Sequence, residues 1–194
     1  MVGFWFLAIL STGAVAQTTY LEYSILKNGK TVGSLHCSCE ITNEDVRFKV
    51  ESNVNTHLGM PIKVETHEIA YYKKGVLQNS SVFRKVNDRV KVNKSLKIQA
   101  GYYIINQKQG DEVLGIYPIY RSISGIFCQE PLHVANIYSD NFQKMLPIHK
   151  TGLHEYKLTL PDGNYNLYYY ENGFCTKVDV HNTFYSLQFV LKKH

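Results

Sequence analysis

An apolar side chain at every second position is the pattern that most restricts this chain. Val46, Phe48, Val50 and Val54 alternate with Arg47, Lys49, Glu51 and Asn53. Val90, Val92, Leu96 and Ile98 alternate with Lys91, Asn93, Ser95 and Lys97. Tyr156, Leu158 and Leu160 sit between Glu155, Lys157 and Thr159 in the same way. Tyr185, Leu187, Phe189 and Leu191 continue the rule, with only Val190 out of step. Successive side chains of an extended strand point to opposite faces, so each run makes a strand with one dry face and one wet face.

Turn signals separate the runs: Lys27-Asn28-Gly29-Lys30, Thr42-Asn43-Glu44-Asp45, Lys73-Lys74-Gly75, Asn87-Asp88, Gln109-Gly110-Asp111, Pro161-Asp162-Gly163 and Glu171-Asn172-Gly173. Gly, Asn and Asp tolerate the positive φ that tight hairpins demand. Two stretches break the rhythm. Ile116, Ile119, Tyr120, Ile123 and Phe127 fall at helical spacing, with Pro118 near the start, which predicts a short helix over 117–126 that caps the sheet. Tyr138-Ser139-Asp140-Asn141 reads as a turn. The expected fold class is all-β: a strongly curled antiparallel sheet, or an open or closed β-barrel, of about ten to twelve strands with that one helix.

The first residues address the compartment. Phe4-Trp5-Phe6-Leu7-Ala8-Ile9-Leu10 has the length of a signal-peptide core and is too short to span a bilayer. Ala14-Val15-Ala16 supplies a small-x-small cleavage site, which predicts a signal peptide over 1–16 and one all-β domain over 17–194. The expected product is exported, periplasmic or extracellular, and soluble after cleavage. No later segment is long and apolar enough to be a membrane helix. The 21 basic against 16 acidic residues leave a charge of only +5, spread singly along the strands, so no nucleic-acid footprint is expected. With 44% hydrophobic residues the chain can bury a core, and its 15 tyrosines suit strands that are apolar at one end and wet at the other.

Four cysteines are the first place to look for chemistry. Cys37 and Cys39 share one strand face with Gly33, Leu35 and Ile41, where two thiols with a third from Cys128 or Cys175 offer soft-metal ligands. The C-x-x-C spacing of zinc and redox motifs is missing, and small buried side chains are the simpler reading, so no metal is expected. Export permits disulfides. A Cys37–Cys39 bridge is awkward in an extended strand, where the two Cα atoms are ~6.5–7 Å apart, and Cys128–Cys175 is the pairing to test first.

No other residue set forms a catalytic frame. His67-Glu68 lacks a second histidine four residues on, and Arg121-Ser122-Ile123-Ser124-Gly125 lacks the leading glycine of a nucleophile elbow. No cofactor fingerprint and no catalytic residue is assigned. Glu130, ahead of Pro131, is the acidic residue of most interest: a structural acceptor at a strand entry, or a polar anchor for a ligand.

The order of the segments resembles a known family. It is carried by Leu26-Lys27-Asn28-Gly29-Lys30-Thr31-Val32-Gly33-Ser34-Leu35, Tyr72-Lys73-Lys74-Gly75-Val76-Leu77, Gln129-Glu130-Pro131, Tyr138-Ser139-Asp140, and Pro161-Asp162-Gly163-Asn164-Tyr165 through Gly173. These resemble small exported bacterial proteins classed as a domain of unknown function. The resemblance implies a curled antiparallel sheet, distantly like periplasmic carriers of lipoproteins and other apolar cargo. Fold does not fix function. The leading expectation is a non-enzymatic binder of a lipid or other apolar or amphipathic molecule, lined by Phe48, Val50, Val92, Tyr156, Leu158, Leu187 and Phe189. Second is a structural or interaction module docking an envelope protein, and third a hydrolase of envelope polymers.

Overall fold

The structure, a computed structural model, describes residues 16–57, 59–107, 110–115 and 118–193. The expected signal peptide therefore lies outside the described residues, apart from Ala16, which opens the first strand.

Among the described residues, one antiparallel sheet of 14 strands carries the fold. The first meander runs through β1 (Ala16–Lys27), β2 (Lys30–Thr42), β3 (Asp45–His57), β4 (Pro61–Lys73), β5 (Val76–Val86), β6 (Arg89–Gln99), β7 (Tyr102–Gln107) and β8 (Gly110–Leu114). The second runs through β9 (Asn136–Ser139), β10 (Lys144–Gly152), β11 (Glu155–Thr159), β12 (Tyr165–Glu171), β13 (Phe174–His181) and β14 (Ser186–Lys193). β14 pairs with β1, so the two meanders join mid-sheet, and β8 and β9 are left as its two edges. The sheet curls without closing. Lys94 Nζ of β6 donates to Asn141 O at 2.6 Å and Gln143 Nε2 donates to Asn106 O at 3.5 Å, which brings the β9–β10 turn against β6 and β7.

The hairpins follow local backbone chemistry. Asn28 (φ 51°) with Gly29 (φ 75°) and Asn172 (φ 51°) with Gly173 (φ 83°) place both loop residues in the left-handed region, the turn whose twist matches antiparallel strands. The strand count exceeds the expected ten to twelve because two turns are written in unusual residues. Ala100 (φ 50°) precedes Gly101 between β6 and β7, and His154 (φ 57°) closes β10–β11. Tyr138 and Ser139 end β9, so the turn expected over 138–141 begins at Asp140.

The expected helix over 117–126 is replaced by a single 3-10 turn, Ile123–Gly125, within an irregular crossover from β8 to β9. This crossover is the plug of the curled sheet, and three of its carbonyls bond outward to strands. Ile119 O accepts from Leu77 N at 2.9 Å, Arg121 O from Tyr138 N at 2.9 Å, and Phe127 O from Cys175 N at 3.0 Å. A helix would need those carbonyls for itself. Helical spacing misled because Ile119 is fully buried while Tyr120 beside it is exposed.

Buried tyrosines tie strand to strand and plug to sheet. Tyr23, Tyr72, Tyr103 and Tyr170 are buried, and each hydroxyl finds an acceptor: Cys175 O at 2.7 Å, Ser122 Oγ at 2.8 Å, Leu77 O at 2.8 Å and Ile126 O at 2.8 Å. A phenol can be buried cheaply only on those terms.

Candidate functional site

Cross-strand register defines the inner face as a stack of rows. One row, beside the plug, reads Leu96, Ser80, Ala70, Phe48 and Cys39. The next reads Lys94, Val82, Glu68, Val50, Cys37 and Leu21, and the third Val92, Arg84, Thr66, Ser52, Leu35 and Tyr23. The fourth runs Val86, Val64, Val54, Gly33, Ile25, Phe189, Val178, Tyr168 and Tyr156. Leu187, Val180, Asn166 and Leu158 form a shorter row next to it.

The seven lining residues expected from sequence all lie in these rows, with different burial. Phe48, Val50, Tyr156 and Leu158 are fully buried and act as packed core. Val92, Leu187 and Phe189 are half-buried. Half-buried too are Val54, Val64, Val86, Val180 and Leu160, so one end of the inner face is apolar and partly open. The plug closes the other end: Phe127 stacks edge-on against Tyr23 and Tyr168, with centroids at 5.4 and 6.5 Å.

A polar group of side chains lies between these ends. Glu68 occupies an inward position among apolar neighbours, where Ser124 Oγ of the plug donates to its Oε2 at 3.3 Å. Burial raises its pKa, against the pull of Arg84 and Ser124. Asp140, at the end of β9, accepts from Ser80 Oγ at 2.5 Å. Burial pushes its carboxyl up to about 7; the Ser80 bond opposes the rise and the Glu68 charge adds to it. The hydroxyl of Tyr138 is buried without a hydrogen-bond partner, as is Oδ1 of Asn166. Sequence reading passed over Glu68 and Asp140. The signal for Glu68 was present: Ile62, Val64, Thr66, Glu68, Ala70 and Tyr72 form one alternating set, with a carboxylate in an oily register. Asp140 follows a strand end and carried no such mark.

Glu130 belongs to the plug's anchorage. Its Oε1 accepts from Tyr156 Oη at 2.7 Å, and His154 Nδ1 lies 3.0 Å from Oε1 and 3.1 Å from Oε2. Burial and the Glu130 bond raise the Tyr156 phenol to about 12.

All four thiols are free and buried, and they gather where β2 meets the plug and β13. The N–H of Cys175 donates to Phe127 O beside Cys128 at 3.0 Å, and its thiol is turned to Lys177 O at 3.3 Å. The neighbouring Cys39 and Cys128 thiols perturb each other, Cys39 downward and Cys128 upward, while burial lifts Cys37 well up and Cys175 to about 12. Among the described residues no group of three or more His, Cys, Asp or Glu is arranged to hold a metal ion. No helix among them is long and apolar enough to cross a membrane.

Two hollows accompany the site. One, of about 130 Å³, opens beside the plug between Phe48, Tyr72, Ser122, Gly125 and Gln129. The other, of about 560 Å³, lies along Thr18–Glu22 with His36 and Cys37, at the part of β1 that extends past its pairing with β14.

Residues 23–192 match the family described as Domain of unknown function (DUF6134). The chain belongs to that family. The match covers the whole of β2 to β13, so both meanders and the plug are parts of the DUF6134 domain. Among solved structures, the crystal structure of a beta-barrel-like protein of Domain of Unknown Function DUF1849 from Brucella abortus is similar at 10% identity and a TM-score of 0.48, over 90% of this chain and 95% of that one. No curated protein matches the DUF6134 chain.

Proposed function

We propose that the protein is an exported, non-enzymatic binder of an amphipathic ligand. The carrying observation is the half-buried apolar end of the inner face, formed by Val54, Val64 and Val86 from one meander and Val180, Leu187 and Phe189 from the other. They rim the packed core, and each keeps part of its surface in solvent, an apolar margin that suits an acyl chain or similar group. Asn166, in the same region, supplies an unengaged acceptor for the ligand's polar part. The carboxylates of Glu68 and Asp140 support binding better than hydrolysis, because each is already engaged by a serine of the chain.

Titration with a dansyl-labelled fatty acid tests this reading. Saturable binding, weakened at least tenfold by Val180→Asp or Leu187→Asp in variants with unchanged circular dichroism, is the expected result. Fluorescence that rises without saturation, or that ignores both substitutions, removes the proposal.

A further inference from the structure

We propose that the open end of the curled sheet is a docking face for an anionic phospholipid bilayer, through which an amphipathic ligand passes between bilayer and groove. The passage rests on the binding reading above; the docking rests on the rim itself. Hairpins alternate between the two ends of an antiparallel meander, so the β5–β6, β3–β4, β1–β2, β13–β14 and β11–β12 turns lie side by side along one rim. The fourth inner row, with Val54, Val64, Val86 and Phe189, lies just inside it.

Three of these turns hold a large apolar side chain out in solvent. Phe184 is 85% exposed, Met60 63% and Val90 53%. The turns are pinned by side chains. Phe184 N–H donates to Asn182 Oδ1 at 3.0 Å, and Thr183 donates through N–H and Oγ1 to Asn164 Oδ1 of the β11–β12 turn at 2.9 and 3.0 Å. Asn87 Nδ2 donates to Pro61 O at 3.1 Å and Lys27 Nζ to His57 O at 2.6 Å, so the turns on both sides grip the β3–β4 turn. A tip already ordered has little entropy left to lose when an apolar phase covers it. Neighbouring hairpins are two strands, roughly 10 Å, apart. Met60 and Phe184 therefore flank the β1–β2 turn, which carries Lys27 and Lys30.

Charge selects the occupant. Among the apolar tips stand Lys27, Lys30, Lys63, Lys85 and Arg89, against Glu65, Asp88 and Asp162. At the plug end the balance reverses, with Glu44, Asp45, Glu130, Glu155 and Glu171 against Lys73, Lys74 and Arg121. That end exposes Leu153 at 81%, so an exposed apolar tip alone does not separate the two ends. The basic setting does. Apolar tips among basic side chains match the interfacial zone of a bilayer, where each Lys or Arg near an anionic surface adds about fivefold to binding.

Trp5 is the single tryptophan of the chain. Trp5→Phe with Phe184→Trp therefore gives a full-length reporter at the rim, and Trp5→Phe with Leu153→Trp gives one at the plug end. Each is mixed with vesicles of phosphatidylglycerol and phosphatidylcholine, with and without brominated acyl chains. With circular dichroism unchanged, the rim reporter should shift its emission to the blue and be quenched by the bromines, while the plug-end reporter does neither. Adding Lys30→Glu and Arg89→Glu to the rim reporter should weaken its insertion about tenfold or more, and pure phosphatidylcholine should weaken it likewise. A rim reporter that ignores the vesicles, equal quenching at both ends, or insertion indifferent to the charge reversal overturns the proposal. So does a lipid-free dimer in sedimentation velocity that Phe184→Ser dissolves, since the rim then covers a second copy. Fatty-acid titration without vesicles reads the groove alone, so failure of the groove and failure of the docking face are told apart.

Discussion

Gly125 rests so closely on Phe48 that a Cβ added to it would lie 2.9 Å from the ring's Cε2. The plug is seated by the absence of a side chain. Gly125→Ala pushes the ring or the 3-10 turn aside and should cost about 1–3 kcal/mol in urea unfolding. Because the clash is with a side chain, Phe48→Leu in the same chain should recover part of that loss. If the two costs simply add, the contact is not what seats the plug.

The Tyr103 hydroxyl serves both partners of one backbone bond. It donates to Leu77 O and accepts from Ile119 N at 3.1 Å, while Leu77 N donates to Ile119 O. Tyr103→Phe leaves the buried Ile119 N–H without that acceptor. The expected loss is about 2 kcal/mol. Hydrogen exchange should show faster amide exchange at Ile119 and Leu77 before the central strands respond. Uniform acceleration would mean that this bond does not hold the plug locally.

Gly33 is a more demanding position. It lies in the fourth inner row opposite Val54, and a Cβ there would fall 2.0 Å from Asn53 O and 2.9 Å from Val54 Cα. Backbone cannot move aside as a ring can. Gly33→Ala should therefore cost more than Gly125→Ala, about 3 kcal/mol or more, and should reduce recovery of folded protein. Equal urea midpoints for the two variants would contradict the difference drawn between backbone and side-chain obstruction.

The sequence made the strands legible because alternation reports directly on which side chains face inward. Phe48, Val50, Val92, Leu187 and Phe189 all lie on the inner face as their parity requires. Parity does not say how deep a row lies, so Phe48 in the packed bottom and Leu187 at the open end looked equivalent. The plug was illegible for a different reason. Its conformation is decided by bonds to Leu77, Tyr138 and Cys175, which are remote in sequence, and a local periodicity cannot register them.

Asp140 gives the fold a stability that depends on pH, and the sign follows from its environment. It is 6% exposed, and burial raises its carboxyl to about 7. An unfolded aspartate titrates near pH ~3.9. The folded chain therefore holds this proton where the unfolded chain has released it. The stabilisation is complete below the unfolded value and is lost as pH rises through the folded one. At about 1.4 kcal/mol for each tenfold change in proton affinity, the loss across this window is on the order of 4 kcal/mol as an upper bound. Glu68, also raised by burial, acts in the same direction. Asp140→Asn keeps an acceptor for Ser80 and removes the proton equilibrium, so urea unfolding should show the wild type losing stability from pH 4.5 to 8 while the variant loses much less. The variant should be the more stable protein at pH 8. Parallel pH dependences in the two proteins would mean that the Asp140 carboxylate is not desolvated in the fold.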